Sequence, residues 1–267
     1  MYAFAYQRPA TVRQVQSALG KHEDAKILAG GQTLLPTMKQ RLAQPSALID
    51  LGHVAGLTAI EKKGRNIVIG AMARHADVAT SELVREAIPS LAALAGGIGD
   101  PAVRNRGTIG GSVANNDPSA DYPAAVLALG ATIVTNKRKI AAADFFQGMF
   151  TTALEDGEII TKISFPVPAK AAYVKFPNPA SRYAMVGVFV SKKGADVKVA
   201  VTGASNEGVF RAEGLEAALK AKFNPKAVEG VAVDGSNFIS DIHGTADYRA
   251  NLVSVMTKRA VTKALGK

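Results

Sequence analysis

The sequence contains no cysteine and little histidine. Without cysteine, this chain forms no disulfide and supplies no thiolate for a zinc ion or an iron–sulfur cluster. Its histidines are His22, His53, His75 and His243, and no two have the three- or four-residue spacing of metal ligands on a helix. We therefore expect no metal site built by this chain alone, so that any metal chemistry belongs to a partner.

Long apolar runs are absent as well. No stretch approaches the roughly 18 consecutive apolar residues that a membrane-spanning helix needs. The first six residues lack the basic region followed by an apolar region that marks a secretory signal peptide. With 48% hydrophobic and 20% charged residues in a length of 267, the composition is typical of a soluble globular protein, which we expect to be cytoplasmic.

Acidic residues are fewer than basic ones, and the formal net charge is +10. Such a balance favours anionic partners, which include nucleic acids, phosphate-bearing ligands and acidic proteins. The basic residues are spread along the chain, and the densest group, Lys137-Arg138-Lys139, lies next to a predicted turn. A solvated surface is the favoured interpretation, and a basic nucleic-acid-binding module is the alternative, although no RNA-binding aromatic motif or zinc-finger pattern supports it.

Strands and helices alternate in the first half of the hydrophobic pattern. A short strand precedes a helix capped by Thr11, and an apolar strand over residues 25–29 ends at a pair of glycines. A helix over 34–41 and a strand over 47–51 follow. This unit places a glycine loop at the N-terminus of a helix.

The middle of the chain continues this alternation up to one irregular region. The pattern predicts strands over 57–60 and 66–69 around a charged turn, Glu61–Gly64, and helical structure over 75–97 with a new helix at Pro89. Residues 99–121 fit neither periodicity and are rich in Gly, Asn, Asp and Pro. Long irregular segments within a domain are usually functional.

A proline cluster between residues 164 and 181 indicates a boundary. Beyond it, residues 185–191 and 197–202 pattern as adjacent antiparallel strands. The final helix, predicted over 248–265, has one packing face made of Leu252, Val255, Met256 and Arg259. The sequence thus predicts mixed strands and helices on both sides of a boundary near residue 168.

The first glycine loop lies in Leu28-Ala29-Gly30-Gly31-Gln32-Thr33-Leu34-Leu35. Two glycines between an apolar strand and a helix allow positive φ and a close approach of a ligand to the backbone. The amides of Gly31, Gln32, Thr33 and Leu34 are then expected to point into a concavity suited to phosphate. An ordinary turn is the alternative interpretation of a glycine pair taken by itself.

The second glycine-rich segment is Arg104-Asn105-Arg106-Gly107-Thr108-Ile109-Gly110-Gly111-Ser112-Val113-Ala114-Asn115-Asn116. Its three glycines, together with Thr108 and Ser112, predict another cradle of amides and hydroxyls. Neither segment contains the Gly-Lys-Ser/Thr of a P-loop or the Rossmann Gly-x-Gly-x-x-Gly on a parallel βαβ unit. Two unrelated glycine loops suit a long ligand whose two phosphates are held from both sides.

At these residues the chain resembles the FAD-binding (medium) subunits of the molybdenum hydroxylase family, of the aerobic carbon monoxide dehydrogenase and xanthine dehydrogenase type. The first loop with Pro36 and Lys39 is similar to the first FAD loop of that family. The second loop is similar from Ile98-Gly99-Asp100-Pro101 to Asp117-Pro118-Ser119-Ala120-Asp121. Later similarities occur at Gln147-Gly148, at Gly157-Glu158-Ile159-Ile160 and at Tyr173-Val174-Lys175-Phe176, so that the resemblance spans essentially the whole chain.

The resemblance implies an α+β protein with a vanillyl-alcohol-oxidase-like (PCMH-type) FAD-binding fold in two lobes, an N-terminal lobe over 1–55 and a second lobe over 56–168. A C-terminal α+β domain with a small antiparallel sheet is implied over 169–267. It implies that electrons pass from a molybdenum centre through [2Fe–2S] clusters to FAD in this chain and then to an external acceptor. The partners it implies are a molybdenum-cofactor large subunit and a [2Fe–2S] small subunit in a dimer of heterotrimers. Since the substrate pocket belongs to the large subunit, carbon monoxide, purines, aldehydes and N-heterocycles all stay open as substrates.

The resemblance also implies which residues contact FAD, with no catalytic residue and no metal ligand among them, because the cofactor carries the chemistry. The implied contacts are Ala29, Gly30, Gly31, Gln32, Thr33, Leu34, Val103, Thr108, Ile109, Gly110, Gly111, Ser112, Asn115, Asp121, Ile160, Lys175 and Tyr183.

Four of these residues have specific implied roles, each with a structural alternative. Asp121 corresponds to an acid that contacts the ribityl chain, or it caps the helix that starts near Pro123. Lys175 corresponds to a partner of the N1–C2=O edge of the flavin, or it is a solvated strand lysine. Tyr183 corresponds to a tyrosine that covers the isoalloxazine ring, or it is an ordinary half-buried tyrosine. Ile160 packs near the ring or only in the core.

The sequence departs from the family pattern at two places. Thr33 stands where serine is usual, which keeps the hydroxyl, and Pro177-Asn178-Pro179 replaces a typically basic stretch. A scaffold of the same fold that has lost its flavin is therefore an alternative function, although Gly30, Gly31, Gly110, Gly111 and Asp121 are all present.

Overall fold

Helices and strands follow one another along the chain in the computed structural model, which describes residues 1–266. The helices are α1 (Val12–Leu19), α2 (Leu34–Lys39), α3 (His75–Thr80), α4 (Glu82–Ala87), α5 (Pro89–Gly96), α6 (Pro101–Arg104), α7 (Ile109–Asn115), α8 (Tyr122–Leu129), α9 (Ala142–Phe145), α10 (Glu213–Ala221) and α11 (Ala246–Ala264). The strands are β1 (Ala5–Gln7), β2 (Lys26–Leu28), β3 (Ala47–Asp50), β4 (Ile60–Lys63), β5 (Asn66–Gly70), β6 (Thr132–Thr135), β7 (Lys139–Ala141), β8 (Phe146–Gly148), β9 (Thr151–Thr152), β10 (Ile160–Pro166), β11 (Lys170–Pro177), β12 (Ala184–Lys193), β13 (Asp196–Ser205) and β14 (Gly208–Arg211).

The strands form sheets that follow one another in sequence. The first sheet has the order β1-β3-β2 and is parallel, and the second has the order β4-β5-β10-β6-β7 with antiparallel pairing. The third has the order β11-β12-β13-β14 and is antiparallel, and β8 pairs with β9 in a small hairpin. The predicted α+β class and the small C-terminal antiparallel sheet are confirmed.

The parallel sheet is covered by α1, which begins where the sequence predicted. The Thr11 side chain accepts from the Gln14 amide, and the Gln14 side chain accepts from the Thr11 amide, which forms a capping box. The helix buries Val15 and Ala18 in a small core with Ala47 and Ile49 of β3. The strand–helix–strand unit thereby carries the glycine loop that follows β2.

The largest core surrounds α8. Every residue of this helix is buried, as expected for a helix that is apolar on all sides. It packs against β12 and β13 of the third sheet as well as α5 and β10. Because α8 contacts both the second and the third sheet, its N-terminus lies where the two meet.

The C-terminal sheet is covered by α11, but the predicted packing face is partly wrong. Leu252 and Met256 are buried as expected, whereas Arg259 is exposed. Val253 and Ala260 are buried in its place. The buried stripe is therefore rotated by about one residue, because β11 and β12 present a broad apolar surface to the helix.

A predicted turn and a predicted helical region between residues 56 and 168 also have the wrong bounds. The residues predicted as a charged turn at Glu61–Gly64 mostly belong to strand β4, and the turn lies at Gly64. Charged side chains are tolerated there because β4 is the edge strand of its sheet. The helical region over 75–97 breaks at Ser81 in addition to Pro89, because the Ser81 hydroxyl caps α4 by accepting from the Val84 amide.

The region over 99–121, which fitted neither periodicity, contains two short helices. Asp100 caps α6 by accepting from the Val103 amide at 2.9 Å, with Pro101 in the first helical position. Thr108 caps α7 by accepting from the Gly111 amide at 3.2 Å. The second glycine segment is therefore the first turn of a helix rather than a loop.

Two expected absences concern membranes and metals. Within residues 1–266, no helix has the length and apolar character needed to cross a membrane. Over the same range, no cluster of three histidine, cysteine or acidic side chains has a metal-binding arrangement.

The buried Glu158 carboxylate connects the β6–β7 turn to the segment before β10 through hydrogen bonds. The Glu158 side chain accepts from Thr135 Oγ1 at 2.7 Å, from Arg138 Nε and Nη2 at 3.0 Å each, and from the Glu155 amide at 2.9 Å. The hydrogen bonds from Arg138 lower the pKa of Glu158 from its ordinary 4.5 to about 2. The ionised carboxylate is thus part of the folded structure.

We predict that Glu158→Gln lowers the free energy of unfolding by about 2 kcal/mol at pH 7, because charge-assisted hydrogen bonds are lost. The wild-type pKa is lowered in the folded state, so its stabilising effect is full above pH 4.5 and declines as the pH falls toward about 2. The difference between the two proteins should therefore narrow in acid. Urea unfolding at pH 7 and pH 3 measures this.

Glu61→Gln is the matched control, because Glu61 forms an exposed pair with Lys63. It should leave the free energy of unfolding essentially unchanged at either pH, because an exposed ion pair contributes little. A difference between wild type and Glu158→Gln that stays constant down to pH 3 would contradict the assigned role of the carboxylate.

Candidate cofactor site

The first glycine loop joins β2 to α2 as predicted. Gly31 has φ of +72°, a conformation that side chains with a Cβ rarely adopt. Gln32 and Thr33 are exposed, and Leu34 is half-buried at the start of α2. The loop therefore presents its backbone to solvent.

Four amides of this loop have no acceptor within residues 1–266. Gly31, Gln32, Thr33 and Leu34 donate no backbone hydrogen bond to any residue in 1–266, and Thr33 makes no side-chain cap. The first intrahelical donor is Leu35, whose amide reaches the Gly31 carbonyl at 3.2 Å. Four consecutive amides at a helix N-terminus, unpaired within residues 1–266, can bind an anion such as phosphate.

The two glycine segments touch each other. A Cβ on Gly30 would overlap the Arg106 carbonyl oxygen and lie 2.7 Å from Gly107 Cα. A Cβ on Gly111 would lie 3.4 Å from Ala29 Cβ. Glycine is needed at position 30 because the two backbones are in direct contact.

The second segment does not provide the amide cradle that the sequence predicted. The Ile109 and Gly110 amides donate to the Ala73 and Ala71 carbonyls, and those of Gly111 and Ser112 donate to Thr108. These amides are therefore already used within the protein. The prediction failed because the sequence does not reveal that the turn before α3 supplies acceptors.

The reason for glycine at position 110 also differs from the one expected. Gly110 does not have a positive φ, but a Cβ there would lie 2.5 Å from Ala71 Cβ. Gly107 similarly leaves room for His75, whose Nε2 would lie 2.5 Å from a Cβ. Burial, with the charge of Arg104, lowers the pKa of His75 to about 4, so this ring is neutral and acts as packing.

Other predicted contacts of the second segment lie along α6 and α7. Ser112 and Asn115 are half-buried, and their side chains make no hydrogen bond to another part of the described chain. Val103 is half-buried and packs on Gly99. These side chains are available to a ligand that lies across α7.

Asp121 lies at the meeting point of α8 and the third sheet. Its side chain is 5% exposed, and it pairs with Lys175 Nζ at 3.0 Å, while the Lys175 side chain is 11% exposed. The capping interpretation of Asp121 is wrong, because its side chain makes no capping hydrogen bond to α8. The interpretation of Lys175 as a solvated lysine is also wrong.

Tyr173 is a site residue that the sequence prediction missed. Its hydroxyl donates to Asp121 Oδ1 at 2.5 Å, and burial raises the pKa of Tyr173 well above its usual value. The hydroxyl is thus protonated and can act as a donor. The alternation of side chains in a strand places Tyr173 on the same face as Lys175, and this signal was available in the sequence.

The hairpin between β11 and β12 carries Tyr183 at its tip. The side chain of Tyr183 is 47% exposed, and burial together with the carboxylates of Asp117 and Asp121 raises its pKa. Asn178 shapes the tip by accepting from the Ala180 amide at 2.9 Å. The replaced basic stretch at 177–179 thus has a structural role in this turn.

Ile160 lies apart from these exposed groups. It is 4% exposed at the start of β10 and belongs to the largest core. Core packing accounts for its side chain, and its contact with FAD stays a prediction.

Together these groups form a surface that can hold a long anionic ligand. The first loop offers four amides that are unpaired within residues 1–266, and α7 offers Ser112 and Asn115. Lys175 lies with Asp121 beside the third sheet. The arrangement combines anion binding at a helix terminus with polar groups that can orient hydroxyls.

The sequence of this chain is similar to those of known proteins over almost its whole length. Residues 2–168 match the family described as the FAD binding domain in molybdopterin dehydrogenase. The chain is 37% identical to the nicotine 6-hydroxylase medium subunit of Paenarthrobacter nicotinovorans, over 98% of this chain and 97% of that subunit. It is 36% identical to the carbon monoxide dehydrogenase medium chain of Hydrogenophaga pseudoflava, over 98% of this chain and 96% of that one.

The fold is also similar to a solved structure. The carbon monoxide dehydrogenase from Hydrogenophaga pseudoflava that lacks the Mo-pyranopterin moiety of its molybdenum cofactor contains a chain with a TM-score of 0.91 and 36% identity. The similarity covers 99% of this chain and 98% of that chain.

We predict that Gly30→Ala lowers the free energy of unfolding by about 1–3 kcal/mol, because the added methyl group forces the two glycine segments apart. Gly96→Ala is the control, since a Cβ there would meet only Ala79 Cβ at 3.8 Å and alanine favours the helix. It should leave stability unchanged or raise it. Thermal unfolding measures both, and a wild-type midpoint for Gly30→Ala would refute the direct backbone contact.

Proposed function

We infer that the chain, which belongs to the family of FAD-binding domains of molybdopterin dehydrogenases, is the FAD-bearing medium subunit of an oxidoreductase of the molybdenum hydroxylase type. We propose that it passes electrons from a partner's [2Fe–2S] cluster to an external acceptor. When bound, FAD supplies the redox chemistry of that transfer. The residues of this chain bind and orient the cofactor and set the charge around it. The main support for the proposal is the first loop, whose four consecutive amides are unpaired within residues 1–266 and which packs against the second glycine segment.

The first loop is proposed to hold the pyrophosphate of FAD. The amides of Gly31, Gln32, Thr33 and Leu34 offer donors that have no acceptor within residues 1–266, and the start of α2 favours negative charge. Ala29 and Gly30 support the loop through their contacts with the second segment. Intact donors at this position speak against a scaffold that has lost its flavin.

The second segment is proposed to hold the other side of the cofactor with side chains. Ser112 and Asn115 supply a hydroxyl and an amide, while Val103 supplies an apolar contact. Thr108, Ile109 and Gly110 are buried, and the amides of Ile109, Gly110 and Gly111 are paired within the protein. The role proposed for Thr108, Ile109, Gly110 and Gly111 is therefore to shape the surface beside the first loop through close packing.

The flavin end of the cofactor is proposed to lie beside the third sheet. We propose that Asp121 accepts from ribityl hydroxyls and that Lys175 supplies positive charge near the N1–C2=O edge, which the largely buried pair of these two side chains supports. Tyr183, exposed at the hairpin tip, offers an aromatic face to the ring. Ile160 closes the core behind this end.

Partners are proposed because this chain has no cysteine with which to bind a cluster. The relatives named above are medium subunits or chains of larger enzymes. We therefore place the [2Fe–2S] clusters on a small subunit and the molybdenum cofactor on a large subunit, in a dimer of heterotrimers. The positive net charge of +10 suits an acidic neighbour, since complementary charge orients association.

The organisation proposed for the chain follows the sheets. An N-terminal lobe over 1–55 and a second lobe over 56–168 would together hold FAD, with a C-terminal domain over 169–267. Two of the three buried clusters support this division, because one packs α1 on the first sheet and another packs α10 and α11 on the third sheet. The largest cluster joins the second sheet to Tyr173, Phe189 and Ala200 of the third, so these two parts share a core. The cytoplasmic location stays a prediction.

We predict that the purified chain contains one FAD held without a covalent bond, because the site offers hydrogen bonds and no cysteine for attachment. Acid precipitation should release the flavin into the supernatant, where its absorbance near 450 nm is measured. Flavin that stays on the precipitated chain would contradict this prediction.

We predict that Gly31→Val abolishes FAD binding while the chain stays soluble, because a branched side chain cannot adopt φ of +72° and so distorts the four amides. Gly194→Val is the matched control, since Gly194 has φ of +60° in the β12–β13 turn, away from the site. It should lose stability to a similar extent but keep its FAD. Equal flavin content in wild type and Gly31→Val would show that the loop is an ordinary turn.

We predict that the chain by itself, shown by elemental analysis to be free of iron and molybdenum, hydroxylates no substrate. The complete complex should do so, because the substrate pocket is proposed to lie in the large subunit. Steady-state turnover of carbon monoxide, purine, aldehyde and N-heterocyclic substrates tests both preparations. Turnover by the metal-free chain would overturn the proposed division of labour.

A further inference from the structure

Two side chains of the third sheet donate hydrogen bonds to the Asp121 carboxylate of the candidate site. Asp121 Oδ1 accepts from the Tyr173 hydroxyl at 2.5 Å, and Lys175 Nζ lies 3.0 Å from Oδ1 and 3.2 Å from Oδ2. Tyr173 and Lys175 both belong to β11, whereas Asp121 directly precedes α8. The three side chains therefore connect the FAD-binding part of the chain to the C-terminal sheet.

We propose that Tyr173 is a positioning residue of the flavin site. Its hydroxyl donates to Asp121, so that Lys175 is not the only side chain that stabilises this carboxylate. This inference rests on the proposed function, because it assigns Asp121 and Lys175 to the cofactor. It adds a residue that contacts neither phosphate nor ring and acts through its hydrogen bond.

The position of the Tyr173 ring is fixed from two sides. Phe189 of the neighbouring strand stacks on it, with ring centroids 6.1 Å apart and planes 29° apart. Gly187, two residues earlier on β12, leaves the space that the Tyr173 hydroxyl occupies, and a Cβ at Gly187 would overlap that oxygen. The hydroxyl thus has one well-defined place, and that place is against Asp121.

The ammonium of Lys175 has a full set of acceptors. It donates to the Gly97 carbonyl at 2.9 Å in addition to its contacts with both Asp121 oxygens. Burial raises the pKa of the Asp121 carboxyl, while Lys175 and Tyr173 act in the opposite direction. Without the Tyr173 hydroxyl, Lys175 would be the only side chain in residues 1–266 that donates to Asp121.

Loss of the Tyr173 hydroxyl would change how strongly the Lys175 charge acts on groups other than Asp121. An ammonium that must satisfy a buried carboxylate alone is drawn more tightly to it and has less effect on other groups nearby. Charge beside the flavin ring is one of the means by which a protein tunes the flavin's reduction potential. Removal of the hydroxyl should therefore weaken FAD binding through Asp121 and lower the reduction potential through Lys175.

The chain offers a closely matched control in Tyr122. This residue adjoins Asp121 in sequence and is fully buried in the same core, but its hydroxyl has no hydrogen-bond partner within residues 1–266. Tyr122→Phe and Tyr173→Phe each remove one buried phenol oxygen from the same core. Only the second removes a hydrogen bond to the carboxylate.

The experiment compares wild type, Tyr173→Phe, Gly187→Ala and Tyr122→Phe. FAD affinity is measured by fluorescence titration of the apoprotein, and the midpoint potential of bound FAD by spectroelectrochemical titration of the assembled complex. Tyr173→Phe should raise the Kd about tenfold, the effect expected for a hydrogen bond to a charged group, and should lower the midpoint potential. Gly187→Ala should change both in the same direction, because the new methyl group displaces the hydroxyl.

Tyr122→Phe should keep the wild-type potential and a Kd within about twofold of wild type. Wild-type values for Tyr173→Phe, or equal losses in Tyr173→Phe and Tyr122→Phe, would overturn the proposal. A loss in Gly187→Ala without one in Tyr173→Phe would overturn it as well, since packing would then be the cause. If wild type binds no FAD, the proposed function itself fails, which is a different outcome from a flavoprotein insensitive to Tyr173.

Discussion

The contact between two backbones without intervening side chains is the constraint on which the site depends. Gly30 lies directly against Arg106 and Gly107, and Ala29 lies near Gly111. Any larger residue at position 30 would separate the loop after β2 from the segment that joins α6 to α7. This contact holds the unpaired amides of the first loop beside α7, so that two distant parts of the sequence form one surface.

A second connection joins that surface to the third sheet. The pair of Asp121 and Lys175 is largely buried, and the Tyr173 hydroxyl donates a further hydrogen bond to the carboxylate. Buried charges are tolerated only when they are paired and hydrogen-bonded. The C-terminal sheet therefore contributes to the candidate cofactor site, although the matched FAD-binding family ends at residue 168.

Much of the fold was predictable from sequence because it follows local rules. The Thr11 cap, the strand before Gly30 and the β12–β13 pair all appear where the hydrophobic period and turn residues placed them. The second glycine segment was misjudged because its amides donate to Ala71 and Ala73, acceptors that only the folded chain brings near. Periodicity describes one element at a time, whereas the choice of a hydrogen-bond acceptor depends on tertiary contacts.

The contact between Gly30 and Gly107 has a consequence for how the site tolerates substitution. It is made by backbone atoms of this chain, so the first loop is held against the second glycine segment by close packing. A site whose walls are held in place binds with a smaller entropic cost than one whose walls must be ordered. Substitutions that loosen this packing should therefore weaken binding at the first loop even where the altered side chain touches no ligand.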